Sequence, residues 1–151
     1  MNSKRQTNKW NNRYISLAKE ISAWSKDPSR KIGAVAIGEK GQVLSQGYNG
    51  FPRGIFDYES RYSNRETKYQ YVVHAEMNCI YNATYNGVSL ADSSLFVWGL
   101  PACSECAKGI IQVGIKKVYW STDEVIPDIW EKSLKLSENM FKESGVDIIK
   151  L

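Results

Sequence analysis

Apolar and polar positions along the chain fall into short periodic segments separated by breakers. Over residues 12–24, Leu17, Ile21 and Trp24 recur at helical spacing, which predicts a first helix ended by Asp27-Pro28. Residues 31–37 and 43–48 read as two strands joined by a turn at Lys40-Gly41, a hairpin pattern. Residues 49–71 are rich in Gly, Arg, Asn and Tyr without a period and read as a long loop, of a length that is usually functional or disordered. Residues 74–86 then predict a helix closed by Asn86-Gly87, with Gly87 suited to a left-handed cap. A strand over 94–98, a helix over 103–113 and a strand over 115–120 follow. A last helix, from Pro127-Asp128 to Phe141, leads into a strand over 146–151. The second half alternates helix and strand, which implies parallel pairing with helices covering the sheet, while the opening hairpin is antiparallel. The expectation is an α/β protein with a mixed sheet.

Composition narrows this picture. A chain of 151 residues with 42% hydrophobic and 24% charged residues predicts a single domain spanning 1–151 and excludes wholesale disorder. Apolar runs such as 33–37 fall far short of the ~20 residues of a membrane helix. Residues 1–10 are polar and basic with no apolar stretch behind them, so no secretion signal is read there and a cytoplasmic location is expected. Lys4, Arg5 and Lys9 mark the same ten residues as a flexible, solvated tail. The net charge of +4 is too even to predict a nucleic-acid partner.

Three cysteines in a reducing compartment suggest metal ligands or buried thiols. The sole histidine lies in His74-Ala75-Glu76, followed by Cys103-Ser104-Glu105-Cys106. One His and two Cys are the protein ligands of a catalytic zinc with an open fourth position. A helix start favours the ionised thiolates, and Glu76 is placed to take a proton from the zinc's water. A closed structural site would need Cys79, which lies roughly 140° around the helix from His74 and reads instead as a small buried residue. A redox pair at the C-x-x-C and an unrelated core histidine are the other readings. The joint pattern of H-x-E, strand and C-x-x-C at successive helix starts is the zinc-deaminase signature and overrides them.

With these motifs the sequence resembles the cytidine deaminase superfamily and, within it, the deoxycytidylate (dCMP) deaminases. The further matching stretches are Asp27-Pro28-Ser29-Arg30-Lys31-Ile32-Gly33-Ala34 and Gly47-Tyr48-Asn49-Gly50-Phe51-Pro52-Arg53-Gly54. The resemblance implies a three-layer α/β/α sandwich with a five-stranded mixed sheet. It implies hydrolysis of dCMP to dUMP and ammonia with one Zn2+ held by His74, Cys103 and Cys106 and Glu76 as the proton carrier. Asn49 is expected at the sugar and the backbone of Ala75 at the base. Ser29, Arg30 and Lys31 are candidates for the 5′-phosphate, a doubly basic turn suiting a dianion; an ordinary solvated strand start is the alternative for Arg30-Lys31. The family's habits further imply a homo-hexamer regulated by dCTP (activator) and dTTP (inhibitor) with Mg2+, which assigns Asn49, Gly50, Arg53 and Gly54 to an effector region.

Some residues depart from the family pattern. Ala102 stands between Pro101 and Cys103, and Tyr85 stands where some members carry Arg before the Asn-Gly. No additional His and only Cys79 remain for a second, structural zinc, which is therefore not expected. Another zinc deaminase, acting on cytidine, guanine or tRNA adenosine, and a non-catalytic zinc-stabilised nucleotide-binding module are the alternatives. No membrane partner is expected.

Overall fold

The computed structural model describes the backbone of residues 3–151 and the side chains of residues 7–151. In chain order the elements are α1 (Ser3–Ser22), β1 (Gly33–Ile37), β2 (Val43–Tyr48), α2 (Glu59–Ser63), α3 (Arg65–Tyr71), α4 (Ala75–Tyr85), β3 (Ser94–Trp98), α5 (Ser104–Gln112), β4 (Lys117–Ser121), α6 (Glu131–Ser144) and β5 (Asp147–Lys150). One turn of 3-10 helix, Asp128–Trp130, precedes α6.

The five strands form one mixed sheet in the order β2-β1-β3-β4-β5. β1 runs antiparallel to both β2 and β3, and β3, β4 and β5 are mutually parallel. Side-chain alternation along β1 feeds two cores. Val35 and Ile37 meet Ile15, Ala18 and Ile21 of α1 together with Phe96, whereas Ala34 and Ala36 face Ala75, Cys79, Cys106 and Ile110 beneath α4 and α5. Phe141 of α6, 2% exposed, joins this second core. All five β1 residues are buried because both faces of the central strand are covered. The result is the expected three-layer α/β/α sandwich, with α1 alone on one side.

Three expectations need correction. α1 begins at Ser3, so the described part of the supposed tail is helical; Met1, Asn2 and the Lys4 and Arg5 side chains lie outside the described residues. The buried face of α1 is Ile15-Ala18-Ile21, with Leu17 at its margin. Trp24 lies beyond the helix end, 53% exposed, edge-on to Tyr48 at 6.1 Å. The stretch 49–71 is only half loop, because α2 and α3 form inside it. Phe51 stacks on Tyr62 at 4.2 Å, and the Arg61 guanidinium lies 4.9 Å and 4.5 Å from the Tyr58 and Tyr71 rings. Helices of 5 and 7 residues are too short to hold by propensity and depend on such contacts. No helix of the described residues is long and apolar enough to cross a membrane.

Two glycines set how closely the helices approach the sheet. A Cβ at Gly33 would meet the Ala18 carbonyl oxygen of α1, and one at Gly47 would come within 2.3 Å of the Cys79 nitrogen and 2.7 Å of the Ala75 oxygen of α4. Backbone cannot yield as a side-chain tip can. Gly47→Ala is expected to cost about 3 kcal/mol, lowering the thermal midpoint by roughly 6–12 °C in a chain of this size. A melting curve with an unchanged midpoint would show that α4 has slack.

Candidate active site

The residues at the starts of α4 and α5 form the candidate metal site. His74 occupies the N-cap position of α4 and Cys103 that of α5, with Glu76 and Cys106 in the first turns of the same helices. Both helix N-termini, where unpaired N–H groups gather positive potential, therefore converge on one spot, which favours thiolates. His74 Nδ1 lies 3.3 Å from Cys103 Sγ and 3.3 Å from Cys106 Sγ, and the three donor atoms all fall within 4.8 Å of one another. Tetrahedral zinc with ordinary Zn–S and Zn–N bonds would hold such S···N pairs about 3.6 Å apart. Two soft sulfurs and an imidazole nitrogen, converging at that spacing with no fourth protein ligand in the group, fit a zinc ion with one open position. Cys79 is buried in the second core beyond this trio, and burial pushes its thiol up to about 12.

Protons take the place of an ion in the electrostatics of the trio. The hydrogen bond from Cys106 brings the Cys103 thiol down to about 4, and the bond to Cys103 raises His74 to about 9. Cys106, sharing that bond and buried, is displaced upward. The three donors thus share protons through hydrogen bonds, an arrangement a divalent cation can replace by displacing those protons. Beside it the Glu76 side chain is 4% exposed, and burial pushes its carboxyl up to about 7. A carboxyl so placed can both accept and release a proton near neutrality.

His74, Cys103 and Glu76 border a cleft of about 350 Å³ that continues along Asp27, Ser29, Arg30, Ile32, Asn49 and Ala75 on one side, with Cys106 buried behind them. Arg65, Lys68 and Tyr69 of α3, Val72, Leu100 and Pro101, and Pro127, Ile129, Trp130 and Leu134 complete the lining. Ala102 points away into the core at 4% exposure, so the extra residue before Cys103 leaves the ligand loop packed while Pro101 borders the cleft.

Asn49 is a clamp at the end of β2. Its Oδ1 accepts from Ile32 N–H at 2.8 Å and its Nδ2 donates to the Arg30 carbonyl at 2.9 Å, fixing the 30–32 segment to the sheet. Asp27 fixes the start of that turn, its Oδ1 accepting from Ser29 N–H at 2.9 Å and Arg30 N–H at 3.4 Å. The Arg30 guanidinium reaches the Gly99 and Val125 carbonyls and the Glu124 carboxylate, each at 3.4 Å. Lys31 does not line the cleft; in the segment that leads into β1, Ile32 is buried while Lys31 is exposed, and the Lys31 ammonium turns back to the Ser25 carbonyl.

Arg65, Lys68, Tyr69 and Trp130 were not legible as site residues. Arg65 and Lys68 sit three apart in an aperiodic polar stretch, which is the only trace they leave in the sequence. The four expected effector residues are not brought together either. Asn49 faces the cleft, and Gly50 pairs with Val73 through backbone bonds of 3.1 Å and 2.8 Å. Arg53 donates to Asn82 Oδ1 at 2.5 Å with its guanidinium 5.7 Å from the Tyr85 ring, over α4. Gly54 lies in the left-handed region at φ +84°.

Residues 8–122 match the model of the cytidine and deoxycytidylate deaminase zinc-binding region. The chain is 37% identical over 142 residues to an uncharacterized deaminase in the luxG 3′ region of Aliivibrio fischeri, covering 93% of this chain and 92% of that one. It is 35% identical over 142 residues to the deoxycytidylate deaminase of Mus musculus, covering 91% of this chain and 76% of that protein. Among solved structures, the dCMP deaminase of the cyanophage S-TIM5 in complex with dCMP and dUMP superposes with a TM-score of 0.72 at 28% identity, over 93% of this chain and 95% of that one.

Proposed function

The chain belongs to the cytidine and deoxycytidylate deaminase family, and on that premise we propose that it hydrolyses dCMP to dUMP and ammonia. The observation that carries this reading is the composition of one cleft. The side chains suited to water activation and proton transfer border the same space as three cationic ones, Arg30, Arg65 and Lys68, as a nucleotide with an anionic tail requires.

Zinc held by His74, Cys103 and Cys106 would supply a water acidified toward neutral pH at the cleft floor. Glu76 takes a proton from the attacking water as its oxygen bonds to C4 of the cytosine, and passes that proton to N3. The same carboxyl then carries the second proton to the amine, whose C4–N bond breaks to release ammonia and leave the C4 carbonyl of dUMP. Burial of Glu76 keeps bulk water from competing for either proton. The Ala75 backbone, fully buried beside it, borders the base, and Asn49 holds the sugar-side wall in place.

Effector control belongs to the same reading. dCTP with Mg2+ as activator and dTTP as inhibitor would act through Gly50, Arg53 and Gly54 rather than Asn49. A second cavity of about 520 Å³ bordered by Arg53, Gln46, Asn82 and Tyr85 is the space available to them. Assembly into a cytoplasmic hexamer would cover the exposed Tyr81 and Tyr85 of α4, 52% and 84% exposed in the single chain.

The test is the ultraviolet absorbance change of the zinc-loaded protein with dCMP beside deoxycytidine. Rapid loss of dCMP absorbance with little loss of deoxycytidine is expected. Preference for deoxycytidine, or conversion of neither with or without dCTP, would overturn the assignment.

A further inference from the structure

Of the three cationic side chains along the cleft, Lys68 is the one whose placement demands an explanation. Its residue is 8% exposed, and lysines are almost never so buried unless paired. Its ammonium sits 3.3 Å and 3.4 Å from the two oxygens of Asp27, whose side chain is 5% exposed. An ammonium carries three donors, and among the described residues Asp27 is its only hydrogen-bonding partner. That carboxylate is already shared with the Ser29 and Arg30 N–H groups. The lysine therefore reaches the cleft with donor capacity left over, and Asp27 holds it against the Ser29–Arg30 turn.

Charge around the cleft points the same way. Arg30 is partly offset by Glu124, which is itself 58% exposed at its side chain, and Arg65 has no carboxylate partner among the described residues. Apart from Glu76 at the metal end, one buried carboxylate, Asp27, and one solvated one, Glu124, face three cations, an imbalance that a phosphate group would offset.

We infer that Lys68, positioned by Asp27, is the side chain that recognises the 5′-phosphate and sets the preference for nucleotide over nucleoside, a role for which the sequence had suggested Ser29, Arg30 and Lys31. The inference rests on the deamination reading for its substrate but not for its geometry. A purely structural pair tying α3 to the 27–30 turn would support both substrates equally. A phosphate contact serves dCMP alone.

The test compares kcat/KM for dCMP and for deoxycytidine in the zinc-loaded wild type, Lys68→Met, Lys68→Arg and Lys31→Met. Losing one charged hydrogen-bond partner of the phosphate is expected to lower kcat/KM for dCMP by about 30–100-fold in Lys68→Met. The loss falls mainly on KM, with deoxycytidine within about 3-fold of wild type. Lys68→Arg should recover part of the preference. If the methionine variant does not fold, Lys68→Arg decides in its place, because a displaced charge must still penalise dCMP and spare deoxycytidine. Equal loss on both substrates, no loss on either, or collapse of the preference in Lys31→Met instead would overturn the inference. Deoxyribose 5-phosphate, added to the zinc-loaded proteins in a thermal-shift titration, separates the two readings. Stabilisation of wild type but not of Lys68→Met upholds the phosphate site even if dCMP is not hydrolysed, and equal stabilisation of both rejects it.

Discussion

Glu76→Gln is expected to lower the turnover of dCMP by roughly 10³–10⁴-fold, the scale of a lost proton carrier, while zinc content should stay at one ion per chain. The amide has nearly the volume of the carboxyl, so a side chain only 4% exposed is replaced without opening a cavity or crowding Ala75. The metal ligands are untouched, since His74 precedes α4 and both sulfurs belong to the α5 turn. What the variant lacks is an oxygen that can accept a proton from water, give it to N3 and carry a second one to the amine. KM for dCMP should stay within a few-fold of wild type, because the substrate would still be held by the cationic walls of the cleft. Steady-state kinetics with metal analysis on the same sample gives the answer. A variant that keeps a tenth of the activity would end the assignment of Glu76 as proton carrier.

Removing the metal should abolish activity and also loosen the protein. Chelated protein regains turnover with one equivalent of zinc, whereas Cys106→Ser does not. The stability effect follows from mass action: an ion present at a thousand times its dissociation constant stabilises the folded state by about 4 kcal/mol. In a chain of this length that corresponds to a fall of roughly 8–16 °C in the thermal midpoint on chelation. The ligands come from two helix N-termini, α4 and α5, that face each other across the same pocket. Without the ion only the hydrogen bonds from His74 to Cys103 and Cys106 tie the two helix starts together at this point. Calorimetry with and without chelator checks this, and an apo protein that melts with the holo protein or still converts dCMP would refute the zinc site.

The metal trio was legible in the sequence because its signal is local. His-x-Glu and Cys-x-x-Cys each fit within one helical turn, and the strand between them fixes their relation through a parallel βα repeat whose handedness leaves little choice. The five strands and the mixed sheet were legible for the same reason. The cationic wall was not. Lys68 is a site residue only because Asp27, distant in the chain, folds against it, and α3 is a helix only because the packing around Tyr62 and Tyr71 makes it one. Lys31 misled in the opposite direction: a basic residue beside the right turn, drawn away from the cleft by the Ser25 carbonyl.

The way the sheet is joined gives the two ends of the cleft unequal claims on the rest of the fold. His74, Cys103 and Cys106 belong to one contiguous stretch, α4-β3-α5, and meet once those neighbours in sequence pack. The 27–30 turn and Asn49 arrive with the hairpin, whose place in the sheet depends on pairing Gly33 with Trp98, residues separated in the chain by β2 and three helices. The seam between these parts runs through the cleft itself. The metal end of the cleft is thus built by neighbours in sequence, and the end opposite it by pairing between distant parts of the chain.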